Sequence, residues 1–414
     1  MSAFLARSNL FSLFIASALL LLPEGINAVA IRRATSSSYT CTEAYVPITA
    51  TAQNIRFDAT APKTQLELAA IISASVAVNS NFTTDTIDKK NPNQTISGTW
   101  KLYTKRCIPK KWNGNVQVLV HGIAASHSYF EYPQNKTISY LDVAASGGNA
   151  VVNYDRLGVG ESDHPDGINV VQSALDIEML HQLVGYLKKR PHALTGVVMS
   201  KYPNDFTRAI LTGFSPTTEN NGVAGTYSFS PAIASQQNPQ LFGRYNNDSS
   251  YVVTESSTHD LYSFFDGPPG VHYSADVFNN FVATKGAWTY GQQLTKDMLA
   301  GYFPAGSYTG DILVVTGEHD LPGCGGNCYQ GTNGASVLTE SGAFFPNAKS
   351  IATYIPANTA HAVFQHYTAP AVFGVINSWL NGAILCSNIF WSSSVGHLWF
   401  IMSCMDWIWS TVML

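Results

Sequence analysis

Charge is scarce in this chain. Of its 414 residues, 23 are Lys or Arg and 27 are Asp or Glu, a net charge of -4. No basic run occurs, so the electrostatic footprint of a nucleic-acid binder is missing. Cysteines number six, and no set of them has zinc-ligand spacing; Cys324 and Cys328, in a Cys-Gly-Gly-Asn-Cys stretch, have no further ligands close by. One pentapeptide is also missing: Gly-x-Ser-x-Gly occurs nowhere. That excludes a serine presented on the sharp strand-to-helix turn which this motif forms.

Apolar residues are plentiful, at 45% of the chain. They suffice for one large core with an inserted subdomain, or for two domains. The first residues have the pattern of a secretory leader over 1–30. Arg7 is its basic start, Leu10–Leu22 its apolar stretch, and Ala28-Val29-Ala30 its small cleavage residues. Export agrees with the glycosylation tripeptides at Asn81, Asn93, Asn135 and Asn247. In an oxidising compartment, Cys324 with Cys328 and Cys41 with Cys107 are the candidate disulfides, while Cys386 and Cys404 lie in the tail.

Periodicity orders the rest. Ser36–Thr51 is Ser/Thr-rich and reads as a loose lead-in. Gln65–Val78 has helical spacing. Gly98–Cys107 alternates like an early edge strand. Val116–Gly122 (VQVLVHG) and Ala150–Ser162 (AVVNYDRLGVGES) are buried strands, each running into a turn. Val170–Leu187 has helical spacing, Arg208–Gly213 and Ile312–Thr316 are strands, and Ser350–Ile355 is the last strand before a helix ending at Leu380. Strands alternating with helices imply a mostly parallel, doubly wound α/β sheet. Ser215–Gly310 is too long for a simple crossover and reads as a cap inserted into the core. The expected division is a core over 41–215, a cap over 216–310, a second core part over 311–382, and an anomalous apolar tail over 383–414. The tail contacts a membrane only if it is a true anchor.

Three positions carry the expected chemistry. Asp320 follows the strand ILVVTG and is placed to orient a histidine. Glu318 is its competitor, and His319 a surface neighbour. His361, in NTAHAVF, follows the last strand and is placed to take a proton from a nucleophile and return it to a leaving group, with His366 as the alternative. The backbone N–H of Ile123, after His121-Gly122, is the candidate oxyanion donor. The loop Asp155–Ser162 is assigned a structural role: its glycines allow positive φ, and Asp155 and Arg156 tie it together. Ser162, Ser200 and Ser215 are each rejected as nucleophile. None sits on an elbow, although Gly213-Phe214-Ser215-Pro216-Thr217 comes within one residue of the motif.

VLVHG, NYDRLGVGES, VVTGEHD and Ala360-His361 together resemble the α/β-hydrolase superfamily, in particular its secreted fungal members of the AB-hydrolase-1 type, over about Cys41–Gly382. The resemblance implies hydrolysis of an ester or similar bond in a small, apolar substrate, by a nucleophile-Asp-His triad, with no cofactor and no metal. The family places a strand, an elbow and a helix just before the strand at Arg208. The interval Arg190–Thr207 holds only 18 residues, whereas those elements need roughly 24. An internal deletion of about 15 to 20 residues follows. The lost strand is a central one, so its neighbours are expected to be left without a partner.

Overall fold

Stretches rich in Thr, Tyr and Val open the described part of the chain, and they pair as β1 (Val29–Thr35), β2 (Tyr39–Ile55) and β3 (Asn93–Pro109). The structure is a computed structural model and describes residues 29–77, 79–188, 198–216, 225–245, 248–331 and 335–382. Nearly all of the expected leader, Asn247, the junction at 189–197 and the tail with Cys386 and Cys404 lie outside the described residues. Among the described residues, no helix is long and apolar enough to cross a membrane.

Two sequence expectations are corrected here. The segment Ser36–Thr51 is no loose lead-in; most of it is β2. Its composition hid a period of two, in which Val46, Ile48, Ala50 and Ala52 are all buried on one face. Nor is Gly98–Cys107 an edge strand. It belongs to β3, which pairs with β2 along its whole length and, at Thr104–Cys107, with β5 (Ala150–Tyr154) on the other side. Alternation shows that one face is buried, but not how many neighbours a strand has. The β2–β3 register sets Cys41 opposite Cys107, and the two form a disulfide.

Then comes β4 (Val116–Leu119), which runs parallel to β5 and ends this first sheet, whose order is β1-β2-β3-β5-β4. Three later strands, β6 (Arg208–Thr212), β10 (Asp311–Val315) and β11 (Ser350–Tyr354), form a second, wholly parallel sheet ordered β11-β10-β6. A third, small sheet is antiparallel and lies between them in sequence: β7 (Pro231–Ile233), β8 (Tyr251–Thr254) and β9 (Trp288–Thr289).

The fold class is therefore the expected α/β, with strands buried between helices. Val118 and Val152 of the first sheet, and Ile312 and Val314 of the second, face one cluster, which includes Leu175, Leu183 and Val184 of helix Ser173–Lys188. Leu119, Val151, Leu313 and Val315 face the opposite cluster, with Leu141 of helix Tyr140–Ser146 and Phe373 and Ile376 of helix Ala369–Leu380. Both sheets thus share the same two helical layers. Among the described residues, β4 and β6 are each an edge of their sheet. Between β5 and β6 the described chain holds helix Ser173–Lys188, a four-residue helix, Val198–Lys201, and a short 3-10 turn, Pro203–Asp205. The expected missing strand falls at the junction 189–197, which lies outside the described residues.

Candidate active site

Strand ends converge on one imidazole. Asp320 lies past the end of β10, in a turn that the sequence Asp-Leu-Pro-Gly-Cys closes tightly. Its side chain caps the short helix Leu321–Cys324 by accepting from the Gly323 N–H at 2.6 Å, and the Cys324–Cys328 disulfide staples the loop behind it. A methyl group on Gly323 would stand 2.9 Å from Asp320 Oδ1, so a side chain there would push the carboxylate from its place. The second carboxylate oxygen of Asp320 accepts from His361 Nδ1 at 2.8 Å, and the carboxylate is wholly buried. That bond fixes the tautomer and leaves Nε2 as the free nitrogen. Burial, the largest single influence, lowers the imidazole pKa. The charge and hydrogen bond of Asp320 outweigh it, and the result is a raised pKa.

The competitors are engaged elsewhere. Glu318 accepts from the Asn358 N–H at 2.8 Å. His319 pairs with Asp266, which also holds His272. His366 accepts from the Ala360 N–H at 3.2 Å and donates to the Ala362 carbonyl at 3.0 Å; burial lowers its pKa to about 4. It is a neutral brace for the turn that carries His361.

The Asp155–Ser162 loop is tied as its residues suggest. Asp155 accepts from the His127 and Glu161 N–H groups and from His127 Nδ1. Gly158 and Gly160 both have positive φ, and a methyl group on Gly160 would stand 2.2 Å from Asp155 Oδ2. His121 is buried; its Nε2 accepts from the Arg156 N–H at 3.1 Å, and burial pulls its pKa down to about 3. It is a clip between the turns after β4 and β5. Ser162 Oγ donates to the Asp155 carbonyl and accepts from the Tyr103 N–H. Ser200 Oγ donates to the Tyr302 carbonyl. Ser215 is buried, two residues beyond Gly213 at the end of β6.

His361 and Ile123 line the same cavity, of about 1490 Å³. Among the described residues, the Ile123 N–H donates to no protein acceptor. Phe264 closes the His361 end from above: its ring centroid is 5.7 Å from the imidazole, and its carbonyl accepts from the Ala362 N–H. One neighbour was missed from the sequence. Gly213, at the end of β6, lies against His361, and a methyl group there would stand 2.7 Å from Cε1. Its only sequence signal was a glycine directly after a strand.

No family model matches the chain, and no curated protein does. Among solved structures, it is similar to an α/β-hydrolase fold protein from Chitinophaga pinensis, at 13% identity and TM-score 0.42 over 68% of this chain and 94% of that one. It is similar to an epoxide hydrolase from Vigna radiata, at 15% identity and TM-score 0.41 over 68% and 95%. It is also similar to an esterase from Exiguobacterium antarcticum, at 15% identity and TM-score 0.42 over 68% and 96%.

Proposed function

We propose that this chain is an ester-hydrolase scaffold that keeps its proton-handling residues and presents no serine on a nucleophile elbow, since Gly-x-Ser-x-Gly occurs nowhere in its sequence. The observation that carries this reading is the buried Asp320 bonded to His361, with Nε2 of His361 open to a large cavity. Asp320 holds the imidazole and His361 acts as base. The Ile123 N–H is the donor for a developing oxyanion. A small apolar ester fits the cavity wall, where Phe264, Phe281 and Leu180 contribute.

Chemistry without a serine runs through water. His361 Nε2 takes a proton from water as its oxygen bonds to the ester carbonyl carbon. The carbonyl oxygen then carries negative charge toward the Ile123 N–H. Collapse breaks the bond to the alcohol oxygen, which takes the proton back from His361. No acyl-enzyme forms. Such single-step base catalysis is worth about 10²–10⁴-fold, far below a complete triad. A second reading, ligand binding without turnover, is favoured by the size of the cavity.

Residues 216–310 act in this reading as the cap over the site, and Phe264 is their contact with His361. Secretion is supported by two disulfides and by the exposed asparagines of the tripeptides at Asn81, Asn93 and Asn135.

Two measurements test the proposal together. A fluorophosphonate probe is expected to leave the protein unlabelled, because it needs an activated serine. Hydrolysis of a p-nitrophenyl ester is expected to be slow and to disappear in His361→Ala. Stoichiometric phosphonylation of a serine sinks the reading. Hydrolysis unchanged in H361A leaves only the binding protein.

A further inference from the structure

We propose that the buried Lys285–Asp260 pair positions the oxyanion donor. It sets the segment 284–286 against the turn that carries the Ile123 N–H, and ties that turn to the helix packed beside His361. The inference deepens the proposed hydrolysis and rests on it for the role of Ile123.

The turn needs holding. Ala124, directly after Ile123, is wholly buried and has φ of +58°. An alanine adopts this left-handed conformation only at a cost, and such residues persist where the surroundings over-determine them. Asp155 secures the turn further on, at the His127 N–H. At Ala124 the partner is segment 284–286. The Gly286 N–H donates to the Ala124 carbonyl at 3.2 Å. The Thr284 carbonyl accepts from Ser126 Oγ at 2.9 Å and from Ser128 Oγ at 3.1 Å. Thr284 is the last residue of helix Ala275–Thr284, where carbonyls have no partner within the helix. The approach is close: a methyl group on Gly286 would stand 2.2 Å from the Ala125 carbonyl oxygen.

Between these two contacts in sequence stands Lys285, and its side chain fixes the segment. Nζ donates to Asp260 Oδ2 at 2.8 Å, to the Thr254 hydroxyl at 2.8 Å and to the Thr254 carbonyl at 3.0 Å. All three donors of the ammonium group are thereby used. Asp260 belongs to helix Ser257–Phe264. Phe264 ends that helix beside the His361 ring, and its carbonyl accepts from the Ala362 N–H. One short helix thus reaches the base at its end and the oxyanion turn through Asp260.

Stability alone does not account for the pair. A buried ion pair is often no more stabilising than apolar side chains of similar volume. What it adds is direction: three acceptors at fixed places admit one placement of the ammonium group. Support of the fold predicts that activity follows stability. Positioning predicts that the two separate.

The test uses the full chain with two sets of changes. K285M/D260N removes both charges together, so that neither is buried alone. Gly286→Ala leaves the pair intact and crowds the turn directly. Hydrolysis of a p-nitrophenyl ester is one readout. Hydrogen exchange at the Gly286 amide is the other, with the Leu313 amide of β10 as reference, and it needs no turnover. In K285M/D260N the melting temperature is expected to stay near the wild-type value while Gly286 exchange quickens at least tenfold relative to Leu313. There kcat should fall by about tenfold or more with KM little changed, and Gly286→Ala should lower kcat in the same way. Unchanged Gly286 exchange in K285M/D260N overturns the proposal, because the segment then keeps its place without the pair. So does a kcat that recovers with the melting temperature, which leaves the pair as support only. If the wild type hydrolyses no ester, the hydrolase reading fails by itself, and Gly286 exchange still decides whether the pair sets the turn.

Discussion

The backbone of Gly213 is pressed against the imidazole of His361, so closely that a methyl group on its α-carbon would stand 2.7 Å from Cε1 and 3.0 Å from Nδ1. Gly213 also has φ of +63°, which an L side chain adopts at a cost. The two facts bind the end of β6 to the geometry of the Asp320–His361 pair.

Gly213→Ala is therefore expected to lower stability by about 1–2 kcal/mol from backbone strain alone. It should also displace the ring. Urea unfolding reads the first effect. Loss of the low-field Nδ1 proton signal of His361 in NMR reads the second, and an unchanged signal contradicts the contact.

The raised pKa of His361 has a sign that can be checked in two ways. Its neutral form is the base, so any ester hydrolysis should increase with pH through an apparent pKa above about 6.5. Its protonated form is favoured by folding. The stability it adds is fully present below about pH 6.5, the unfolded value, and is lost as pH rises through the folded value. Asp320→Asn removes the charge that offsets burial, so the His361 pKa should fall below 6.5. NMR titration of the wild type and D320N checks both shifts; a D320N value as high as the wild type contradicts Asp320 as the cause.

A buried ion pair supports the region above the site. Lys285 Nζ is 2.8 Å from Asp260 Oδ2, with the lysine side chain 4% exposed and the aspartate 0%. Lys285 also donates to the Thr254 carbonyl and hydroxyl. Lys285→Met leaves an uncompensated buried carboxylate and should cost about 3–5 kcal/mol. The double variant K285M/D260N should recover much of that loss. Calorimetric melting of the three proteins decides it, and an additive double variant contradicts the pairing.

The Cys41–Cys107 disulfide closes a loop of sequence separation 66. Replacing both cysteines with alanine is expected to cost about 2–5 kcal/mol. Chemical denaturation of C41A/C107A measures the loss. A cost near zero would mean that the long β2–β3 pairing constrains the unfolded chain on its own.

Much of the architecture was legible because its signals are local. β-branched runs bounded by turns gave β6, β10 and β11 within a residue and the starts of β4 and β5, whose expected ranges ran on into the following turns, and apolar spacing gave the helices that cover them. β2 and the interior place of β3 were not legible. A strand's composition says nothing of its partners, and a Ser/Thr-rich stretch conceals a buried alternate face. Near the site, the sequence could nominate Asp320 and His361 by their places after strands. It carried little sign of Gly213 or Gly323, whose importance lies in what their missing side chains would strike.

The sequence by itself determined the fold class, nominated Asp320 and His361, and showed one shortage: the interval Arg190–Thr207 is short for another strand and its helix. Chain length is a covalent fact, read directly from the sequence. Only the tertiary structure decided which strands pair. Among the described residues they form two main sheets that share the same two helical layers, with β4 and β6 each at an edge, because pairing is set by long-range packing and not by local composition.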